Sequence, residues 1–316
     1  MIKFALNRLL LFFICSLCAN CQEGIAQNNN FIFSYFIANG EDGLHLAHST
    51  DGYHWKALND GNSFLTPEMG KDKLMRDPSI VQGPDGTFHM VWTVSWGEKG
   101  IGYASSKDLI NWSAQQYVPV MEHEPTARNC WAPELFYDIK SKTYFIIWAT
   151  TIPERFSAGE EQKYNHRLYY TTTKDFVNFS PTKLFYDHKF SIIDGVLVKS
   201  KDQYVLFLKD ETDKPNIPEK NIRIATSKKP EGPYSKPSRP ITGDYWAEGP
   251  TAISVNGKWF VYFDKYTEKK YGVITSENME SWTDESEKLE MPTGIRHGTA
   301  FAVSQAVIDK LIEVGK

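Results

Sequence analysis

From about residue 30 onward, the chain alternates short apolar segments with polar turns. The apolar segments are rich in Val, Ile, Phe, Tyr, Trp and Thr, and they are separated by Gly, Asp, Asn and Pro. This pattern is typical of β-strands joined by turns. Apart from a short stretch at 307–314, no long segment has the 3.6-residue apolar period of an amphipathic helix. The pattern therefore predicts an all-β protein.

The predicted strands repeat in a fixed order. Each copy contains an apolar strand, then a strand rich in small hydroxyl residues, and then a polar turn that ends on an aromatic residue. Successive endings lie 57, 67, 55 and 48 residues apart, at Trp55, Trp112, Phe179, Tyr234 and Trp282. This spacing is that of a four-stranded propeller blade with loops of variable length.

One strand near the C-terminus has no partner within its own repeat. Four of the copies are preceded by an extra strand, whereas the N-terminal copy is not. The apolar segment 297–303 belongs to none of the copies. Placing that segment innermost in the N-terminal blade closes a ring and removes exposed sheet edges. The sequence thus predicts a five-bladed β-propeller. A β-sandwich is the alternative, and it is disfavoured because the same strand types recur in the same order.

The first 26 residues have the features of a secretory signal peptide. Lys3 and Arg8 supply positive charge, 9–19 form a short apolar core, and small residues predict cleavage after Ala26. The apolar core is too short to span a membrane. We therefore expect a secreted or periplasmic protein without a membrane span, in which 27–316 form a single five-bladed propeller domain.

The cysteines offer a second interpretation of the leader. Cys21 could be the anchored cysteine of an outer-membrane lipoprotein, but the residues before it match a lipobox poorly. Beyond the leader only Cys130 remains, so no internal disulfide is expected. We predict that Cys130 is a buried packing residue.

Composition narrows the classes of partner. The net charge is −4 and no stripe of Lys and Arg is present, which argues against nucleic acid as a partner. Aromatic residues make up 14% of the chain, which suits both sheet packing and contact with the apolar faces of sugars. These features are compatible with an oligosaccharide or polysaccharide as the partner.

The predicted inner strands begin with polar motifs. Because inner strands of a propeller start near its axis, the motifs should converge on one pocket. Buried charges cost several kcal/mol each unless paired, so a purely structural core would not repeat them. The motifs are Arg76-Asp77-Pro78, Trp131-Ala132-Pro133-Glu134, Ile193-Asp194-Gly195, Ala247-Glu248-Gly249-Pro250 and Arg296-His297-Gly298.

This order of motifs resembles glycoside hydrolase family 43, the five-bladed propeller arabinofuranosidases and xylosidases. The resemblance extends from about residue 32 to about residue 303. Each motif alone is weak, and the five in order carry the resemblance. The chain departs from the family's frequent Asp-Pro at Asp194, which is followed by Gly195.

The resemblance implies roles for three carboxyl groups. Asp77 would be the general base that activates a water molecule, and Glu248 the general acid that protonates the departing oxygen. Asp194 would orient Glu248 and raise its pKa, because a neighbouring carboxylate disfavours ionisation. An inverting hydrolase separates its acid and base by about 6.5–9.5 Å to admit the water. In isolation, Asp77 could merely cap a turn and Glu248 could form an ion pair with Arg296.

Further residues are candidates for contact with the sugar. Arg76 and Arg296 could bind sugar hydroxyls or orient carboxylates, and Glu134 could bond a hydroxyl or have a structural role. Trp131 and Trp246 could stack on a sugar or pack within blades.

His297 has two interpretations. In the resembled family a histidine at this place lies near the axis and often contacts a metal or water, which allows an axial calcium ion here. A lone buried histidine is more often a hydrogen-bonded core residue, and no second metal-ligand motif accompanies it. No cofactor is expected to be required.

The function predicted from these features is exo-acting, inverting hydrolysis. The sugar released would be a terminal pentose of plant polysaccharide, either α-L-arabinofuranose or β-D-xylose, with a galactose-specific hydrolase as a variant. A non-catalytic carbohydrate-binding propeller is the alternative. It would be expected to have lost at least one of the three carboxylates, and this chain retains all of them.

Overall fold

The computed structural model describes residues 29–156, 164–213 and 218–314. The predicted signal peptide and Cys21 lie outside the described residues. Within them, no helix is long and apolar enough to cross a membrane. The architecture is a five-bladed β-propeller, which confirms the predicted fold.

Each blade is an antiparallel sheet. The first two blades contain, in chain order, β1 (Phe31–Tyr35), β2 (His45–Ser49), β3 (Lys56–Ala57), β4 (Arg76–Gln82), β5 (Phe88–Thr93), β6 (Ile101–Ser106) and β7 (Gln116–Val118). The third contains β8 (Trp131–Asp138), β9 (Thr143–Thr151), β10 (His166–Thr173) and β11 (Lys183–Tyr186).

The two remaining blades follow the same plan. In the fourth, three strands fall in the part of the chain that the structure describes, namely β12 (Ile192–Ser200), β13 (Gln203–Asp210) and β14 (Asn221–Ser227). The fifth contains β15 (Glu248–Val255), β16 (Lys258–Lys265), β17 (Lys270–Ser276) and β18 (Thr283–Asp284). After it come β19 (Thr299–Ala302) and the helix α1 (Gln305–Val314).

The ring closes through the C-terminal strand, as predicted. β19 pairs antiparallel with β1, with Phe31 opposite Ala302 and Ser34 opposite Thr299. The first blade therefore takes its inner strand from the opposite end of the chain. The helix α1 then buries Ile308 and Leu311 in the same apolar cluster as Leu46 and Met90.

The repeated aromatic endings close turns. After β6, the Ser106 hydroxyl accepts hydrogen bonds from the backbone N–H groups of Asp108 and Leu109. The Asp108 carboxylate accepts a hydrogen bond of 2.7 Å from the backbone N–H of Asn111. Trp112 then forms an isolated antiparallel β-bridge with Ser106. Side chains of this kind satisfy backbone donors that a turn leaves free. Equivalent turns follow β2, β10 and β17.

A bulge starts the inner strand of four blades. The pairing register shifts between Arg76 and Ser79 in β4, and corresponding shifts occur in β8, β12 and β15. A bulge bends its strand and redirects the side chains beside it. Within these shifts lie residues with left-handed φ angles, namely Asp77 (53°), Ala132 (45°), Asp194 (53°) and Gly249 (60°). Four of the five motifs found in the sequence therefore coincide with these bulges, and the motif at 296–298 does not.

Candidate active site

A cavity of about 370 Å³ lies where the inner strands begin. All five blades contribute to its lining, and the structure brings Asp77, Asp194, Glu248 and His297 together there. The volume falls within the range of about 300–1,000 Å³ common for small-ligand sites. The pocket is therefore built from residues that are far apart in the sequence.

Asp77 is a buried carboxylate held by two donors. Its Oδ2 accepts a hydrogen bond of 2.8 Å from the Thr93 hydroxyl, and its Oδ1 lies 3.3 Å from His297 Nδ1. Burial acts to raise the pKa of Asp77, but the hydrogen bond and charge of His297, together with Arg76, outweigh it and lower the pKa to about 2. Its left-handed backbone is unfavourable for a non-glycine residue, and such strain is found most often at functional sites. Asp77 is thus an ionised acceptor at neutral pH.

His297 is the positive charge on the axis. Burial acts to lower its pKa, but the carboxyl groups of Asp77, Asp194 and Glu134 outweigh burial and raise the pKa to about 9. A Cβ atom on Gly249 would lie 2.5 Å from the imidazole Cγ. Only glycine can occupy that position without displacing the ring, and this explains the glycine that follows Glu248.

These residues provide no direct site for a metal. Within the described ranges, no group of three or more His, Cys, Asp and Glu side chains is arranged to hold an ion. The carboxyl groups instead surround the His297 imidazolium, which supplies the compensating charge. The axial calcium ion stays a prediction.

Asp194 is joined to the backbone beside Glu248. Its Oδ2 accepts a hydrogen bond of 2.8 Å from the N–H of Gly249. Burial raises the pKa of Asp194 to about 6, and the charges of Glu248 and Asp77 add to that effect while His297 and Lys209 oppose it. Asp194 therefore holds the start of β15 in place and is a carboxyl group that can retain a proton near neutral pH.

Glu248 lies between two cations. Its Oε2 accepts from Lys209 Nζ at 2.9 Å and its Oε1 accepts from Arg296 Nη2 at 3.0 Å. Burial acts to raise the pKa of Glu248, but Lys209 and then Arg296 outweigh it, so the pKa lies below its usual value. The expectation of a raised pKa for Glu248 is wrong, because the raised pKa belongs to its partner Asp194.

Three residues of the site that no sequence motif indicated lie on the second strands of their blades. Thr93 lies opposite Arg76, Lys209 opposite Ile193, and Asp264 opposite Glu248. Lys209 is buried, and it contacts Glu211 at 2.6 Å as well as Glu248. The available signal was a charged residue at the end of an otherwise apolar strand, as in 204–209 and 259–264.

Aromatic residues form one wall of the cavity. The Arg76 guanidinium lies between the rings of Phe36 and Trp96, 4.6 and 4.3 Å from their centroids, and donates to the Asn39 side chain at 3.0 Å. Trp131 packs edge-on against Trp96 and donates a hydrogen bond to its backbone oxygen. Because the Trp96 side chain is 48% exposed, this wall offers an open aromatic surface.

Arg296 lines the cavity and forms ion pairs with two carboxylates. Besides Glu248, its guanidinium contacts the carboxylate of Asp264. It therefore positions Glu248, whereas Arg76 makes no ion pair within the described residues and is held by Phe36, Trp96 and Asn39.

Two predicted sugar contacts, Glu134 and Trp246, do not line the cavity. Glu134 follows the bulge, so its carboxyl group lies deeper, accepts from Thr299 at 3.4 Å, and has a pKa that burial raises to about 7. Trp246 turns outward to pack 5.9 Å from Tyr266 and is 38% exposed. Glu134 is thus part of the axial packing and Trp246 part of the rim.

The sequence matches a known protein family and a characterised relative. A family model described as a probable glycosyl hydrolase domain, related to glycoside hydrolase family 43, matches residues 27–309. The chain is also 24% identical, over an alignment of 184 residues, to an α-L-arabinofuranosidase of Bifidobacterium longum subsp. longum. The alignment covers 51% of this chain. It covers only 17% of the length of that relative.

Solved structures share the fold at low identity. An α-L-arabinanase of Cellvibrio cellulosa, complexed with arabinohexaose, has a TM-score of 0.58 at 14% identity, over 85% of this chain and 95% of that one. A family 43 β-1,3-galactosidase also has a TM-score of 0.58 at 14% identity, over 81% of this chain and 56% of that one. These likenesses support the five-bladed propeller.

Proposed function

The chain belongs to a family of glycoside hydrolases related to family 43, and on that premise we propose that it is an exo-acting, inverting glycosidase. The sugar released is a terminal pentose, α-L-arabinofuranose or β-D-xylose, from a plant polysaccharide. The observation that carries the proposal is the contrast between two carboxyl sites in one cavity. Asp77 is ionised, whereas the Asp194–Glu248 pair can retain a proton.

In the proposed reaction, Asp77 acts as general base and Glu248 as general acid. Asp77 takes a proton from a water molecule whose oxygen bonds to the anomeric carbon. Glu248 gives its proton to the glycosidic oxygen as the bond from that oxygen to the anomeric carbon breaks. Because attack and departure occur on opposite faces, the configuration inverts. One proton enters Asp77 and one leaves Glu248, so the charge of the site is conserved.

The cations around Glu248 favour its role as a proton donor. Lys209 and Arg296 stabilise the carboxylate that remains after the proton has left, so transfer to the leaving oxygen becomes more favourable. Asp194 supplies a neighbouring site for the same proton, and the two groups titrate as a pair. We infer that the pair stores the proton on Asp194 until a substrate draws it onto Glu248.

The form of the cavity supports action on a single terminal sugar. Its volume is about 370 Å³, and its lining includes His297, Trp96 and Trp131. An aromatic wall suits the apolar face of a sugar. Arg76 is the proposed contact for the sugar hydroxyls. The arabinofuranosidase relative supports arabinose as the first sugar to test.

The proposed setting is outside the cytoplasm. A signal peptide over 1–26 is the sequence prediction, and the family match begins at residue 27. A lipid anchor at Cys21 is the alternative.

A panel of glycosides tests the proposal. Purified protein is incubated with 4-nitrophenyl α-L-arabinofuranoside, β-D-xyloside and β-D-galactoside and with the matching oligosaccharides, and release of free sugar is measured. We expect turnover of a pentoside in preference to the galactoside. Turnover of the galactoside alone would support the galactose-specific variant, and binding without turnover of any glycoside would support the non-catalytic propeller.

The activity is expected to fall above about pH 6. Since the pKa of Asp77 is lowered to about 2, the base is ionised throughout the range from pH 4 upward. The pair loses its proton as the pH passes the raised pKa of Asp194, about 6, so the active form then declines about tenfold per pH unit. The test is a profile of kcat/KM from pH 4 to pH 9. A kcat/KM that rises between pH 5 and pH 8 would contradict the assignment.

A further inference from the structure

The propeller has a second face, opposite the candidate active site. The inner strands β4, β8, β12 and β15 begin at the cavity of the candidate active site and run away from it. Because neighbouring strands are antiparallel, the turns after the inner strands and after β6, β10, β14 and β17 all lie at the far end. We call this end of the ring the distal face.

Lysines are concentrated on the part of the distal face that blades three and four form. Two of them occur at or just after the end of each of the strands β8, β12 and β14, and all six are exposed. Within the described ranges none of the six forms an ion pair, and the exposed acids beside them are Asp202 and Glu231. Positive charge is therefore in excess here, although the whole chain carries a net charge of −4. This lysine patch consists of Lys140, Lys142, Lys199, Lys201, Lys228 and Lys229.

Other parts of the distal face have a different charge. In the second blade Lys107 is paired with Asp85 at 3.1 Å, and in the fifth blade the turn after β17 carries Glu277 and Glu280. The lysine patch is thus a local feature and no general property of the turns.

The lysine patch surrounds a hollow between blades three and four. Lys140, Lys228 and Lys229 line a cavity of about 570 Å³ together with Tyr204. The ammonium group of Lys199 lies 4.0 Å over the ring of the same tyrosine. Several ammonium groups around one hollow suit the phosphate of a lipid headgroup, since lysine binds phosphate as a point charge.

Two apolar side chains project from turns of the distal face in blade three. Ile139 is 81% exposed and lies in the same turn as Lys140, and Val177 is 77% exposed in the turn after β10. They are the two most exposed of the large apolar residues in the described part of the chain. Exposed aliphatic groups beside lysines are typical of surfaces that enter the headgroup layer of a membrane.

The chain also enters the ring at the distal face. Phe31 at the start of β1 pairs with Ala302 at the end of β19, and β19 begins just after His297 of the cavity. The start of β1 therefore lies away from the cavity. A lipid on Cys21, the alternative anchor, would tether the chain on this side.

We propose that the distal face of blades three and four docks on a membrane surface rich in anionic phospholipid. The lysine patch contacts the phosphate groups, and Ile139 and Val177 enter the headgroup layer. The candidate active site then lies on the side away from the membrane. The inference goes beyond the proposed function and does not depend on glycosidase activity.

The test measures the partition coefficient of the protein onto vesicles by sedimentation. All proteins carry Cys21→Ser, so that no lipid can be attached at that residue. The vesicles contain phosphatidylcholine alone or with about one third phosphatidylglycerol, at low and at high salt. The docking variant combines Lys140→Gln, Lys228→Gln and Lys229→Gln, and a second variant combines Ile139→Ser and Val177→Ser.

The matched control removes the same charge from the other end of the ring. It combines Lys71→Gln, Lys73→Gln and Lys269→Gln, at exposed lysines in the loop before β4 and between β16 and β17. Thermal unfolding is recorded for every variant and should be that of the wild type, because all the substituted side chains are exposed.

We expect the wild type to bind the anionic vesicles at least tenfold more strongly than the neutral ones at low salt, and to lose this preference at high salt. Since each lysine near an anionic surface strengthens binding about fivefold, the docking variant should lose at least tenfold. The control should stay within about twofold of the wild type. The Ile139→Ser and Val177→Ser variant should also bind more weakly, because less apolar area is buried.

Two results would overturn the inference. One is equal binding of the wild type to both kinds of vesicle, or an equal loss in the docking variant and the control. The other is binding to soluble polygalacturonate, a polymer of carboxylates, without binding to anionic vesicles, which would assign the lysine patch to an acidic polysaccharide. Neither result bears on the proposed hydrolysis, which the glycoside panel tests separately.

Discussion

Replacing Asp77 with asparagine is expected to lower kcat/KM by about 10²–10⁴-fold, the usual contribution of a positioned general base. The amide keeps an oxygen for the Thr93 hydroxyl, which bonds Asp77 at 2.8 Å in the native protein. It cannot accept a proton from water, so the attacking nucleophile is lost. The loss should be equally large for oligosaccharides and for glycosyl fluorides, because water must attack in both reactions.

The measurement is kcat/KM for both substrates, with Asp202→Asn as a matched control. Asp202 is exposed in the turn between β12 and β13, away from the cavity, and its change should leave both values as in the wild type. If Asp77→Asn retained more than about a tenth of the activity, another group would have to be the base.

Glu248→Gln should separate the two substrates. For an oligosaccharide, whose leaving group needs a proton, kcat/KM should fall by about 10²–10⁴-fold. For a glycosyl fluoride, which departs with little help from an acid, the fall should be much smaller. The variant also leaves Lys209 and Arg296 without the carboxylate that bonds them at 2.9 and 3.0 Å, so its thermal unfolding should be recorded alongside the kinetics.

The matched control for this variant is Glu280→Gln, in the exposed turn after β17 of the same blade. Its kinetics and unfolding should be those of the wild type. An equal loss on both substrates would contradict the acid role of Glu248. If Asp194→Asn instead showed the selective loss, Asp194 would be the donor.

The fold could be predicted because the blades of a propeller repeat the same order of strands and turns along the sequence. Four of the five blades are each formed by one continuous stretch of chain, so their strand types and turns repeat at similar intervals. The Ser106–Trp112 turn is one such signal, because a hydroxyl acceptor followed by an Asp or Asn side-chain acceptor recurs after β2, β10 and β17. Ring closure followed from a single unmatched strand, which pairs with β1 as expected.

The site could be predicted only in part. Position along the inner strand identified Asp77, Asp194 and Glu248, which lie within the first three residues of their strands, and His297, which lies two residues before β19. The partners across each blade depend on the pairing register, which a bulge shifts, and so Lys209 and Asp264 were missed.

The same limit explains the errors of detail. Glu134 follows a bulge and points below the cavity, and Trp246 faces the rim. The pKa of Glu248 is set by Lys209 and Arg296 more than by Asp194, and no local pattern in the sequence brings Lys209 to that carboxylate. The pKa values of the carboxyl groups near the axis therefore depend on contacts between residues that only the folded ring brings together.

The most direct test of the account follows the anomeric proton of the released sugar by NMR during the first minutes of hydrolysis. Asp77 acting on water and Glu248 acting on the leaving group predict that the sugar first appears with inverted configuration and then equilibrates. First appearance of the retained anomer would require a covalent intermediate and would contradict the roles given to both carboxyl groups.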